Sequence, residues 1–375
     1  MKILTLSNYY PEHPGGVEFV ALNLVREWRQ RHAVRWMACD VSTHPHQPEK
    51  DDIPLPGLNF TEEKLGFPYP LPWPKGLTRI LEQVQWSEVV HLHDCLYAAN
   101  VLAFLAALYY RKPTVITQHV GPIPYIQKYK IILQSIAYNT IGRYLIGHAD
   151  HVVFISQQVK GWFDARFRYK EQTHFIPNGI DRSLFYPAQP EERIQIRNQL
   201  GIAPGQFVLL FVGRYTEKKG LRILRNLATA RPDLLWVFIG QGELDPNDWS
   251  LQNVRVTATQ SQVSLRSFYV AADAFVLPSV GEGFPLSVQE AMACGLPVCV
   301  SRATANILPD APLIPLEIRN LPAMLEALDT LQNDVQRRKI LSQLSVEYAR
   351  RWDWEQAATK YEFLFSALTE KVTKR

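Results

Sequence analysis

Short apolar runs alternate with amphipathic stretches from one end of the chain to the other. That pattern belongs to α/β units, because a strand buried on both faces reads as a continuous apolar run while its crossover helix carries one apolar face. ILTLS (3–7) predicts a first strand, followed by a turn with Gly15 and Gly16 and a helix from Glu18 to about Arg29 in which Phe19, Leu22 and Trp28 recur near helical spacing. AVRWMACD (33–40) predicts the next strand. From Val41 to Pro74 there are eight prolines and little periodicity, so this stretch reads mostly as loop. The series continues with a helix (77–86), strand 89–93, a helix (96–110), strand 114–119, a long helix (125–147) and strand 151–156, and HFIPNGID (174–181) ends this half. A fresh α/β series starts at QFVLLFVGR (206–214) and passes through a helix (221–230), strands 234–240 and 254–258, a helix (263–271), strand 274–279, a helix (286–293) and strand 297–301. Two Rossmann-like lobes are the economical reading, with boundaries at 1–182 and 183–350 and a last helix, 351–375, crossing back to the first lobe.

Composition narrows the class. The 375 residues are 47% apolar and 20% charged, which excludes disordered, collagen-like and coiled-coil chains. The apolar stretch at the N-terminus is shorter than the roughly seven residues a signal peptide requires, so the reading is a cytoplasmic protein. Cys95 to Tyr110 is uncharged but only 16 residues long, short of the roughly 20 that span a bilayer, and reads as a buried helix. Four cysteines form no C-x-x-C pair, and a net charge of +4 is too small for a nucleic-acid partner. Its distribution is uneven. Arg111, Lys112, Lys128, Lys130, Arg143, Lys160, Arg166, Arg168 and Lys170 stand against only Asp150 and Asp164 between residues 100 and 170. Peripheral contact with an anionic membrane at its inner face is one reading of this stretch, through the helix beginning near Tyr125 with Ile126, Tyr129, Ile132, Leu133, Ile136 and Tyr144. The other is an apolar stripe packed in the core with solvated lysines.

Two absences and two clusters bear on chemistry. No G-x-G-x-x-G follows the first strand and no G-x-x-x-x-G-K-[ST] occurs, which weighs against nicotinamide oxidoreductases and P-loop kinases. In FVGRYTEKKG a strand ends at Gly213 and delivers Arg214, with Lys219 in the following loop; strand ends face the ligand crevice of an open sheet, so both cations can meet one anion, the alternative being solvated loop charges. In PSVGEGFPLSVQEAMACGLPV, Glu282 lies in a glycine-rich loop, Pro285 suits the first helical position and Gly295 caps the end. The amides at this helix start, Leu286 and Ser287 among them, form an anion site. A carboxylate beside such a site matches hydroxyls, which donate to it, so Glu282 suits a sugar and Glu290 a ribose. His91, His93 and Asp94 have a metal-like spacing and read better as structural residues.

The glycine pair after the first strand, His119 at a strand end, N-G-I-D at the lobe junction, G-R-x-x-x-x-K-G, and E-G-F-P with a second Glu eight positions on resemble the family 4 retaining glycosyltransferases of GT-B fold. The resemblance implies two Rossmann-like lobes facing a central cleft. It also implies transfer of a sugar, with retention and without metal or cofactor, from a UDP- or GDP-linked donor to a sugar, glycolipid or other hydroxyl acceptor. Arg214 and Lys219 would hold the diphosphate, Glu282 the donor sugar and Glu290 the ribose, with Gly283, Phe284, Leu286 and Ser287 lining the donor site. Gly15 and Gly16 would admit the donor phosphate and acceptor closely, and His119 either contacts the donor sugar or is a hydrogen-bonded structural residue. Another GT-B enzyme, such as a sugar-nucleotide epimerase, and a noncatalytic nucleotide-sugar binder are the rival readings.

Overall fold

The computed structural model describes residues 1–13, 15–40, 48–58, 70–123 and 127–373. The chain divides into two units, Met1–Gly179 with Trp354–Arg375, and Ile180–Asp353. The first contains β1 (Lys2–Tyr9), α1 (Gly16–Arg29), β2 (Ala33–Asp40), β3 (Asp52–Leu58), β4 (Leu71–Pro72), α2 (Pro74–Trp86), β5 (Val89–His93), α3 (Ala98–Tyr109) and β6 (Thr114–Gln118). It continues with α4 (Lys128–Ala137), a π-helical turn (Tyr138–Gly142), α5 (Arg143–His148), β7 (His151–Phe154), α6 (Gln157–Asp164) and β8 (His174–Phe175). Its sheet runs β4-β3-β2-β1-β5-β6-β7-β8, parallel except for the β3–β4 pair.

Three sequence expectations change here. The proline-rich stretch holds a strand, β3, paired in parallel with β2 from Trp36↔Asp52 to Asp40↔Pro56. Pro54 and Pro56 are tolerated because their carbonyls face away from β2, accepting from Arg79 Nη1 (2.9 Å) and the Trp73 amide (2.9 Å), so the missing N–H groups lie on the side β2 does not use. Helix α1 buries Val20, Ala21, Leu24, Val25 and Trp28, with Phe19 and Leu22 only half-buried, which rotates the apolar face from the expected one. The long helix is one helical run from Lys128 to His148 with a π turn inside it, α4, the π turn and α5 following without a break, and Tyr125 and Ile126 lie outside the described residues.

The second unit contains α7 (Pro190–Gln199), β9 (Val208–Val212), a 3-10 turn (Glu217–Lys219), α8 (Leu221–Ala230), β10 (Leu235–Ile239), β11 (Val254–Thr257), α9 (Gln262–Ala271), β12 (Ala274–Leu277) and α10 (Leu286–Ala293). Then come β13 (Val298–Ser301), α11 (Arg302–Ala305), β14 (Leu313–Leu316), α12 (Leu321–Asn333) and α13 (Val335–Ala349). All six strands are parallel in the order β11-β10-β9-β12-β13-β14, so the winding reverses between β9 and β12. In open α/β sheets ligands bind outside the carboxyl ends of the strands at such a reversal.

The last helix, α14 (Trp354–Thr373), belongs to the first unit. Trp28 packs edge-on to Tyr361 and Phe365, its Nε1–H donates to the Ala358 carbonyl (3.3 Å), and the Tyr361 hydroxyl bonds the buried Thr117 hydroxyl (2.9 Å). Among the described residues no helix is long and apolar enough to cross a membrane.

Candidate functional site

At the reversal in the second unit the loops after β9 and β12 meet at the carboxyl ends of their strands. Lys219, in the 3-10 turn, lies 2.8 Å from Glu282 Oε1 and donates to its Oε2 at 3.0 Å. The pairing depends on Gly220, whose φ is +81° and where a Cβ would stand 2.5 Å from the Pro278 carbonyl oxygen. Only glycine lets the first loop close onto the second at this point. The Val280 amide donates to the Lys218 carbonyl (2.9 Å), and the Ser279 hydroxyl lies between that carbonyl (3.0 Å) and Glu282, tying the loops together.

Electrostatics favour an ionised Glu282 among cations. Burial pushes the carboxyl up, but Lys219 and Lys218, with the hydrogen bonds from Lys219 and Ser279, hold it below its ordinary value. Burial pushes the Lys218 amine down; Glu282 opposes this, and Lys219 and Arg214 add to it. Arg214 itself is exposed. Two lysines facing one carboxylate, with Arg214 acting on Lys218, leave an excess of positive charge for an anionic ligand. Lys218 and Ser279 were not singled out by sequence. The adjacent lysine in EKKG and the serine closing AFVLPS were the only signals.

Four residues beyond Glu282, α10 begins at Leu286, with Pro285 as its N-cap rather than its first helical residue. The Leu286 and Ser287 amides lie in the first turn, where no intrahelical acceptor exists. Gly283 is buried, and the Phe284 ring turns into the core edge-on to Trp352 (5.7 Å), so what Phe284 offers a ligand is its main chain. Gly295, φ +80°, ends the helix as expected, with the Leu296 amide reaching back to the Ala291 carbonyl (2.9 Å). One turn into α10, Glu290 is 9% exposed and accepts from the Tyr269 hydroxyl of α9 at 2.7 Å. Burial pushes its carboxyl up to about 7, against the opposing Tyr269 hydrogen bond.

The remaining sequence-predicted residues belong to the first unit. Gly15 precedes α1 with extended backbone, and a Cβ there would meet the Glu18 carboxylate at 2.0 Å; at Gly16 the space is open. His119 directly follows β6, is 2% exposed and has Nε2 at 2.8 Å from His93 Nδ1. Burial holds its imidazole down at about 3, so it is neutral near pH 7. His91 sits between the Thr5 (3.0 Å) and Thr117 (2.8 Å) hydroxyls, its hydrogen bonds internal to the sheet. All four cysteines are buried and free.

Residues 14–184 match the family described as Glycosyltransferase Family 4, and residues 192–307 the family described as Glycosyl transferases group 1. The chain is 28% identical to sulfoquinovosyl transferase SQD2 of Arabidopsis thaliana over 66% of its own length and 50% of that protein's. It is 27% identical to alpha-galactosylglucosyldiacylglycerol synthase of Streptococcus pneumoniae over 34% of its own length and 37% of that protein's. It thus spans about half or less of the length of these curated relatives. Its fold is similar to sucrose-phosphate synthase from Thermosynechococcus elongatus (TM-score 0.80, 19% identity, covering 99% of this chain and 100% of that one). It is likewise similar to Anabaena HepE, solved with UDP and glucose (TM-score 0.77, 19% identity, covering 98% and 100%). With both of its parallel-sheet units matched by this family pair and the same fold in solved glycosyltransferases, the chain belongs to the family 4, group 1 glycosyltransferases of GT-B fold.

Proposed function

We propose that the protein transfers a sugar from a nucleoside diphosphate donor to a hydroxyl acceptor, with retention and without a divalent metal. The observation that carries this reading is the Lys219–Glu282 pair at the β9/β12 reversal, beside the open first turn of α10. Arg214, Lys218, Lys219 and the amides of Leu286 and Ser287 neutralise the diphosphate as charge develops on it. Glu282 accepts from donor-sugar hydroxyls and Glu290 from the ribose. The bond from the anomeric carbon to the diphosphate oxygen breaks and the acceptor oxygen bonds the same face. Its proton passes to the departing phosphate, so no covalent enzyme intermediate is required. UDP or GDP is the expected leaving group, and HepE's complex with UDP and glucose supports the former. Calorimetry of UDP, GDP and ADP in chelator tests this: a nucleoside diphosphate binds equally well with and without Mg²⁺ if cations of the chain suffice, and strict metal dependence overturns the reading.

The acceptor side favours a lipid-linked substrate on an anionic membrane. In α4 only Gln134 is buried, whereas Tyr129, Ile131, Ile132, Leu133 and Ile136 are each 45–59% exposed, so the apolar stripe is not the core element that one reading expected. On α3, read from sequence as a buried helix, one face is buried through Ala103, Phe104 and Ala107, but Leu105 (46%) and Tyr109 (80%) are also exposed. Both helices cover one face of the sheet, since β5, β6 and β7 follow in order through right-handed crossovers. No acidic residue occurs between Asp94 and Asp150, while Arg111, Lys112, Lys128, Lys130 and Arg143 do. Apolar side chains beside cations in a stretch without carboxylates suit the interface of an anionic bilayer, where each cation contributes roughly 1 kcal/mol. The diacylglycerol product named for one relative agrees with this acceptor class. Sedimentation with phosphatidylglycerol vesicles should pellet the protein at low salt and the double variant I132D/L133D should stay in solution. Equal behaviour on zwitterionic vesicles, or no pelleting at all, overturns the membrane contact.

A further inference from the structure

We propose that His93 is a positioning residue: its Nδ1–H donates to His119 Nε2, fixing His119 as the tautomer that carries its proton on Nδ1. Resting on the functional reading above, this makes the group that His119 offers a ligand a neutral N–H donor, suited to a sugar hydroxyl or phosphoryl oxygen.

The two rings stand at the carboxyl ends of adjacent strands. His93 ends β5, paired with Thr117 of β6, and His119 lies two residues further on the same face. The relation repeats one step earlier, where His91 pairs with Val115 and reaches Thr117. The His93 and His119 rings are nearly coplanar, with centroids 5.1 Å apart and planes 21° apart, and meet edge to edge with their facing nitrogens 2.8 Å apart. His93 is fully buried, its carbonyl accepts from Asn100 Nδ2 (2.6 Å), and its ring meets the His91 ring edge to face at 4.5 Å.

Exactly which nitrogen of the pair holds the shared proton follows from the far side of His93. Its Nε2 is buried and has no hydrogen-bond partner among the described residues. A neutral imidazole has one N–H and one bare nitrogen. With the proton on Nε2, a buried N–H donor would be orphaned, the less tolerated of the two alternatives. With the proton on Nδ1, only a bare nitrogen is left unpaired and the N–H is spent on His119. His119 Nε2 must then be an acceptor, and its proton resides on Nδ1. Burial keeps both rings uncharged, so neither can donate from both nitrogens near pH 7. A histidine so held presents the same donor at every turnover instead of averaging over two tautomers.

Nitrogen NMR of the ¹⁵N-histidine-labelled protein decides the tautomer, with the His119 signals assigned by their loss in His119→Asn. The expected result is a protonated Nδ1 and a bare Nε2 at His119; the reverse pattern in the unsubstituted protein overturns the proposal, whichever acceptor is used. Kinetics add a second reading. His93→Phe should lower kcat by about 10- to 100-fold, the range lost when the partner orienting a metal-bound histidine is removed, and leave the Kd for UDP within about twofold. His93→Asn, whose side-chain amide can donate from near the Nδ1 position, should recover most of kcat. Equal loss in both variants, or unchanged kcat in His93→Phe with a redistributed His119 tautomer, also overturns it.

Discussion

Lys219 and Glu282 neutralise one another in the unliganded protein, and this bears on how each substitution should read. If Lys219 turns to the diphosphate and Glu282 to the sugar, Glu282→Ala leaves Lys219 free and should preserve affinity for the nucleoside diphosphate while lowering turnover steeply. Lys219→Ala removes a charged hydrogen bond to the ligand and should weaken that affinity by about 1–3 kcal/mol. Titration calorimetry beside steady-state kinetics separates the two, and the opposite assignment of effects would refute the roles. Glu290 supplies a pH dependence. Its folded value of about 7 lies above the ordinary 4.5, so the carboxyl favours the folded state fully below the ordinary value, and this contribution is lost as pH rises through about 7. Ribose hydroxyls donate to the ionised form, so nucleotide affinity should rise with pH across that window and binding near pH 7 should release a proton. Glu290→Gln should flatten both trends, as calorimetry in buffers of different ionisation enthalpy would record.

At the scale of elements, the loops after β9 and β12 meet only because Gly220 adopts φ +81° against the Pro278 carbonyl. Gly220→Ala adds left-handed strain of about 1–3 kcal/mol together with that clash. It should lower thermal stability, and by moving Lys219 away from Glu282 it should lower nucleotide affinity too. Unchanged affinity in a destabilised variant would show that the loop, not the pairing, is what the glycine serves. Much of this arrangement was legible beforehand, because strands 208–212 and 274–277 are unbroken apolar runs and the glycines and prolines mark their ends. What was not legible depended on partners distant in sequence. Strand β3 hides its prolines on the side away from β2, so composition read it as loop. Phe284 lies beside the proposed binding residues in sequence yet faces Trp352, and the Tyr269–Glu290 bond joins two helices whose periodicity gives no sign of it. Helix α4 looked amphipathic either for core or for surface, and only its exposure distinguishes the two.

For the whole molecule, the two units differ in how they carry titratable groups. All ten histidines precede residue 180, so the second unit has none. In the first unit burial holds His91 and His119 at about 3 and His93 well below its ordinary value, with neighbouring histidines adding to the shift at His91 and His93. A histidine whose folded value is depressed stays neutral in the native state while the unfolded chain takes up protons, so its contribution to stability is lost as pH falls from about 6.5 toward 3. Asp94 opposes this: burial, against its hydrogen bonds, raises its carboxyl to about 6, and it gains as pH falls. His32, His151 and His174 are lowered too, so six imidazoles against one carboxyl leave the first unit weaker in mild acid, whereas Glu290 makes the second unit gain between about 7 and 4.5. The sheet holding these histidines is closed by α14 through Trp28, Tyr361 and Phe365, so that helix should loosen with it. Calorimetry at pH about 7.5 and about 5 should therefore show the transition separating into two. An acid-active protease at the lower pH should cut first within 1–179 and the C-terminal helix, leaving a fragment near 180–353. A single transition that keeps its shape, or first cleavage within the second unit, would mean that the buried histidines do not govern acid stability.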